Sequence, residues 1–143
     1  MRLTDYTTRT LITGLACFSL SAGAADFAVV AGSGSGIGQL SKDQVSELFL
    51  GKASSLPGGG KAALIDQPES SPLRDHFYTK VTGKSASQAR STWAKLAFTG
   101  KGTPPVEGAG NDDIKKQLAG NKSMLGYIDK ASVDGSVKVI YAP

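Results

Sequence analysis

Ala62-Ala63-Leu64-Ile65-Asp66-Gln67-Pro68-Glu69-Ser70-Ser71-Pro72-Leu73-Arg74 runs from an apolar strand straight into a helix, and the fold is read outward from it. Ala62–Ile65 is the strand. Ser71 suits the N-cap, and Pro72 suits the first helical position, where its missing N–H would be unpaired in any case. A helix that starts at the end of a buried strand aims free N–H groups and a positive dipole end above the sheet. Ser70, Ser71 and Arg74 surround that spot, the arrangement of an oxyanion site. A simple helix cap would use the same residues, so both readings stand at this point.

The flanking pattern alternates strands and helices. Asp26–Ala31 reads as a first strand, apolar on both faces after Asp26 and so suited to a covered sheet. Ser41-Lys42-Asp43-Gln44 is a capping box, followed by an apolar stripe of Val45, Leu48 and Phe49 and closed by Gly51. Leu73, Phe77 and Val81 share a face of the Pro72 helix, which Gly83 ends. Ser85-Ala86-Ser87-Gln88 is a second capping box, opening a helix with Trp93, Leu96 and Ala97 toward the core. Thr99–Pro105 reads as a loop. Asn111 is expected to cap a helix that carries Ile114 and Leu118, with Asp112 and Asp113 complementing its dipole. Strands are expected at Ser123–Ile128 and Val137–Tyr141. The order β-α-β-α-α-α-β-β implies a layered α/β domain.

Several functions are excluded or disfavoured by residue type. Arg2, Arg9, the apolar run Leu11–Leu20 and the small residues Ser21-Ala22-Gly23-Ala24 read as a secretion signal spanning residues 1–24, cleaved before Ala25. Cys17 loosely fits a lipid-anchoring site, but Gly14 stands where a bulky aliphatic residue is expected, so soluble export to the periplasm is expected. Cleavage would leave 119 of the 143 residues as one domain, 25–143, and would lower the net charge from +4 to +3. Cys17 is the only cysteine, so that domain has no disulfide, thiol nucleophile or thiolate metal site. His76 is the only histidine and is expected on a helix surface. No metal, cofactor or catalytic residue is expected. The basic residues are scattered, which argues against nucleic acid as a partner. Gly32-Ser33-Gly34-Ser35-Gly36-Ile37-Gly38 misses the dinucleotide fingerprint, its third glycine falling one residue late.

Three stretches together resemble the phosphate-type (PstS-like) periplasmic solute-binding proteins. Leu40–Lys52 resembles a helix of that family, Ser70-Ser71 its phosphate-cradling Ser-Gly-Thr turn, and Gly110–Asp113 through Leu125-Gly126-Tyr127-Ile128 its Gly-Asn-Asp-Gly and Gly-Ala-Ile-Gly-Tyr segment. The resemblance implies one lobe of a type 2 periplasmic-binding-protein-like α/β fold, with a mainly parallel central sheet flanked by helices. It also implies phosphate or a similar oxyanion as ligand and a membrane permease as partner. The ligand-binding residues would be Ser70, Ser71 and Arg74, with Ser33, Ser35 and Asn111 as further candidates near strand tips. Asp66 stands where the family has an arginine and Glu69 where it has a glycine. Each carboxylate would oppose phosphate by about 1–2 kcal/mol if partly buried. The alternative is a protein-interaction module, bound to a sensor or to itself as a homodimer, that kept the lobe and lost the ligand. Asp66 and Glu69 as an enzymatic acid/base pair have no nucleophile or metal ligand nearby.

Overall fold

The computed structural model describes residues 26–143, so the signal segment and Cys17 lie outside the described residues. The chain order is β1 (Phe27–Gly32), α1 (Lys42–Phe49), β2 (Ala63–Asp66), α2 (Pro72–Thr82), α3 (Ala86–Phe98), β3 (Val106–Glu107), α4 (Asn111–Gly120), β4 (Met124–Asp129) and β5 (Val137–Tyr141), with a 3-10 turn at Lys130–Ser132. The two capping boxes form as the sequence dictates, Ser41 with Gln44 and Ser85 with Gln88. Gly83 ends α2 in the left-handed conformation.

One five-stranded sheet, ordered β3-β2-β4-β1-β5, organises the domain. β2 pairs in parallel with both β3 and β4, while β1 is antiparallel to both β4 and β5. Four strands therefore point one way, and β1 alone opposes them. This matches the mainly parallel sheet expected, with one reversed strand inserted near its centre. β3 is an added element: the short Val106–Glu107 segment carries too little pattern to register as a strand.

Strand alternation divides the core into two layers of side chains. Phe27, Val29, Ala31, Leu64, Leu125 and Tyr127 pack under α1, α2 and α3. Ala28, Val30, Ile65, Met124 and Ile128 pack under α4 on the opposite face. Gly126 lets α4 come close, since a Cβ there would stand 2.6 Å from Ile65 Cγ2 and 3.1 Å from Ile114 Cγ2. Trp93 is buried as expected and donates from its indole N–H to the Phe49 carbonyl at 2.8 Å, joining α3 to α1. Ala97, expected on the core face of α3, is exposed, and Ala89 is buried in its place.

Candidate functional site

The carboxyl ends of β2 and β4 lie side by side and carry the polar centre of the molecule. Asp66 is the last residue of β2 and shares the Leu64 face, beneath α2. It is only 3 % exposed. The Tyr78 hydroxyl of α2 donates to its Oδ2 at 2.7 Å, and the Tyr127 hydroxyl of β4 donates to its Oδ1 at 2.5 Å. Arg74 Nη2 stands 3.8 Å from Oδ2. Burial nonetheless pushes the Asp66 carboxyl above its ordinary value of 3.8, against the pull of both tyrosines and Arg74. Burial, with the neighbouring Asp66, also raises both phenols, so each remains a donor.

Gln67 extends this network across the sheet ends. Its amide N–H points to the Tyr127 hydroxyl at 3.3 Å, and its Nε2 donates to the Tyr127 carbonyl at 3.0 Å and to Asn111 Oδ1 at 2.9 Å. Asn111 also accepts from the Asp129 amide, and donates to Asp129 Oδ2 at 2.7 Å and Ser132 Oγ at 3.1 Å. Its polar atoms are spent on holding α4 to β4. Asn111 is not the helix cap: Gly110, at φ +144, takes the N-cap position and Asn111 is the first helical residue. A glycine there makes the sharp entry that swings the Asn111 side chain back toward Gln67.

The charges beside the Ser70-Ser71 turn are similarly occupied. Ser71 is the N-cap residue of α2, but its hydroxyl makes no cap bond, and the Ser71 carbonyl accepts from the Arg74 amide at 3.1 Å. Pro72 supplies no N–H. The Glu69 amide donates to Glu107 Oε1 at 3.3 Å, and the Glu69 carboxylate pairs with Arg90 at 2.7 Å. Arg74 donates from Nη1 to the Gln67 carbonyl at 3.3 Å besides facing Asp66. Each arginine thus already has its own carboxylate, and Glu107 adds a third. Asp66 and Glu69 do not act on a shared space, since one lies under two phenols and the other on the surface with Arg90.

Ser33 and Ser35 lie elsewhere. β1 runs opposite to β4, so its carboxyl end meets the start of β4 and the start of β5. The Ser33 amide donates to the Ser136 carbonyl, and the Ser35 hydroxyl donates to the Lys122 carbonyl at 2.9 Å while accepting from the Ile37 amide. The length of β4, about 17 Å at the usual strand rise, separates them from Asn111. Ser70, Ser71, Arg74 and Asn111 cluster at one sheet end, and Ser33 and Ser35 brace the other. The two tyrosines of the cluster were missed in the sequence, because Tyr78 lies off the Leu73, Phe77 and Val81 stripe and Tyr127 reads only as part of a strand. His76 stacks edge-on against Phe27 at 5.6 Å between ring centres, half-buried on α2.

No family model and no curated protein sequence matches the chain. Solved structures do. A candidate phosphate ABC transporter substrate-binding protein with bound phosphate from Clostridium perfringens is similar over 81 % of this chain at 21 % identity, with a TM-score of 0.64. An ABC-type phosphate transport receptor from Vibrio cholerae gives 0.63 at 21 % identity over the same share, and PstS from Borrelia burgdorferi gives 0.57 at 13 %. These matches cover 44 %, 45 % and 46 % of those chains, so this chain spans less than half their length. The fold is that of one part of such proteins.

Proposed function

We propose that this chain is an exported, one-lobe solute-binding-like protein that serves oxyanion uptake or sensing through a protein partner, a membrane permease or sensor, and does not itself carry phosphate. One observation supports this reading above others: Arg74 and Arg90, the cations beside the Ser70-Ser71 turn, already face Asp66 and Glu69. A dianion entering there would displace carboxylates that belong to the chain. Phosphate and sulfate are therefore expected to give no heat by calorimetry at millimolar concentration, with the protein at neutral pH. A phosphate Kd below about 100 µM, which is roughly 5.5 kcal/mol of affinity, would defeat this reading.

A second reading keeps phosphate as ligand and is favoured by the Ser71 hydroxyl, which makes no cap bond at the start of α2. On this reading the ligand lies outside the Asp66 cage, on Ser70, Ser71 and Arg74. Arg74→Ala would then weaken phosphate binding by about tenfold or more, which is roughly 1.4 kcal/mol. Asp66→Arg does not test it, since it would bury an arginine beneath the Tyr78 and Tyr127 hydroxyls and beside Arg74. The fold similarity supports a place beside phosphate transport for either reading, with periplasmic location following from the leader-like residues 1–24.

A further inference from the structure

We propose that a groove on the far side of Trp93 from Asp66 is a binding site for a small amphipathic anion, one with an aromatic or branched apolar body and a single carboxylate or sulfonate. The groove measures about 620 Å³ and opens between the end of α1, the start of β2 and the loop after α3. That volume falls within the range of small-molecule sites. Leu48, Leu64 and Trp93, all buried in the core, form its apolar floor. Lys61 and Lys101 stand on its lining, which holds no acidic residue. Both lysines are exposed, and neither forms an ion pair among the described residues. An apolar floor with two exposed, unpaired lysines on its lining fits a ligand with the complementary halves.

The floor is held in shape. The Trp93 indole is pinned to the Phe49 carbonyl, and two wall residues are glycines that lie against the ring. A Cβ at Gly51 or at Gly102 would stand 3.2 Å from the Trp93 ring carbons, and Gly51 is also in the left-handed region at φ +72. An extended peptide is disfavoured as occupant. The neighbouring edge strand β3 has only two residues and follows Pro104 and Pro105, which blunts strand addition.

Trp93 is the only tryptophan of the chain; its ring borders this groove and also the small cleft with Asp66 and Arg74, and the lysine variants tell the two apart. Titration with 1-anilinonaphthalene-8-sulfonate under native conditions should quench Trp93 and raise dye fluorescence together, saturating at one site. The exposed pair Lys61→Ala and Lys101→Ala should raise the dye Kd at least tenfold while the urea midpoint stays unchanged. Neutral N-phenyl-1-naphthylamine should bind at least tenfold more weakly than the sulfonate. The proposal is overturned by dye that leaves Trp93 unquenched, by wild-type affinity in the double lysine variant, or by equal binding of the neutral probe. Phosphate binding at the sheet end is read separately by calorimetry, so neither result decides the other.

Discussion

The Tyr78 hydroxyl and Asp66 Oδ2, 2.7 Å apart, join the middle of α2 to the end of β2 inside the core. With Tyr127 on the other oxygen, the pair forms a closed cage around a carboxyl group that the protein supplies itself. Asp66 therefore shapes stability before it shapes binding.

Its effect on stability carries a sign. Burial holds the native carboxyl above 3.8, so the folded chain binds this proton more tightly than the unfolded chain does. The contribution of Asp66 is fully present below about pH 4 and is lost as pH rises through the native pKa. Asp66→Asn removes the titration. Urea unfolding at steps from pH 7 to pH 4.5 should show wild type gaining on the Asn variant as pH falls. A constant difference across that range would contradict the assignment.

Removing the donors should cost unequal amounts. Tyr78→Phe takes one hydrogen bond from Asp66. Tyr127→Phe takes one as well and leaves the Gln67 amide without its side-chain acceptor. The expected losses are about 1–3 kcal/mol for each, with Tyr127→Phe the larger. The stacked contact of Phe77 on Tyr127, 3.8 Å between centroids, survives the change, so the hydroxyl is isolated. Equal losses in the two variants would count against the Gln67 contact to Tyr127, and wild-type stability in either would count against the cage.

Trp93→Phe should destabilise by about 1–3 kcal/mol through the Phe49 carbonyl alone, because that buried acceptor loses its donor. Loss of ring volume adds to the figure. Chemical denaturation followed by far-UV circular dichroism is the measurement, since the variant has no tryptophan to report fluorescence.

Gly32 and Gly34 make a matched pair. A Cβ at Gly32 would sit 2.5 Å from the Leu118 carbonyl oxygen, a backbone atom of α4 that cannot swing aside. Gly32→Ala should cost about 1–3 kcal/mol as β1 and α4 are forced apart. Gly34→Ala meets nothing within 4 Å and should fall within about 0.5 kcal/mol of wild type. Comparable effects at the two positions would refute the close approach of α4 to β1.

What the sequence disclosed was local. Ser41 with Gln44, Ser85 with Gln88, and Pro72 with Gly83 mark helix ends within a few residues, and each appears where its chemistry requires. The face alternation of Phe27–Ala31 was equally readable as a covered strand. The site was legible only as a list of residue types. Asp66 reads as a surface acid beside a helix start until Tyr127, 61 positions later, is known to lie next to it. Ser33 and Ser35 were grouped with Asn111 because a forward-running β1 would bring them to one end. Strand direction is decided by pairing across the whole chain, and no local signal in residues 27–32 records that β1 runs backward.

That reversed strand has a consequence for how the chain is made. Ala28 is opposite Ile128 and Val30 is opposite Val139, so β1 finds its partners about a hundred positions downstream. Loop closure on that scale is slow, and β1 has no nearer strand to pair with. The centre of the sheet cannot assemble on a ribosome that has yet to deliver the last two strands. A chain of this topology stays open through nearly all of its synthesis, the condition in which a polypeptide can be threaded through a narrow channel. Removal of residues beyond 123 should accordingly abolish the whole domain, leaving no partly folded remainder.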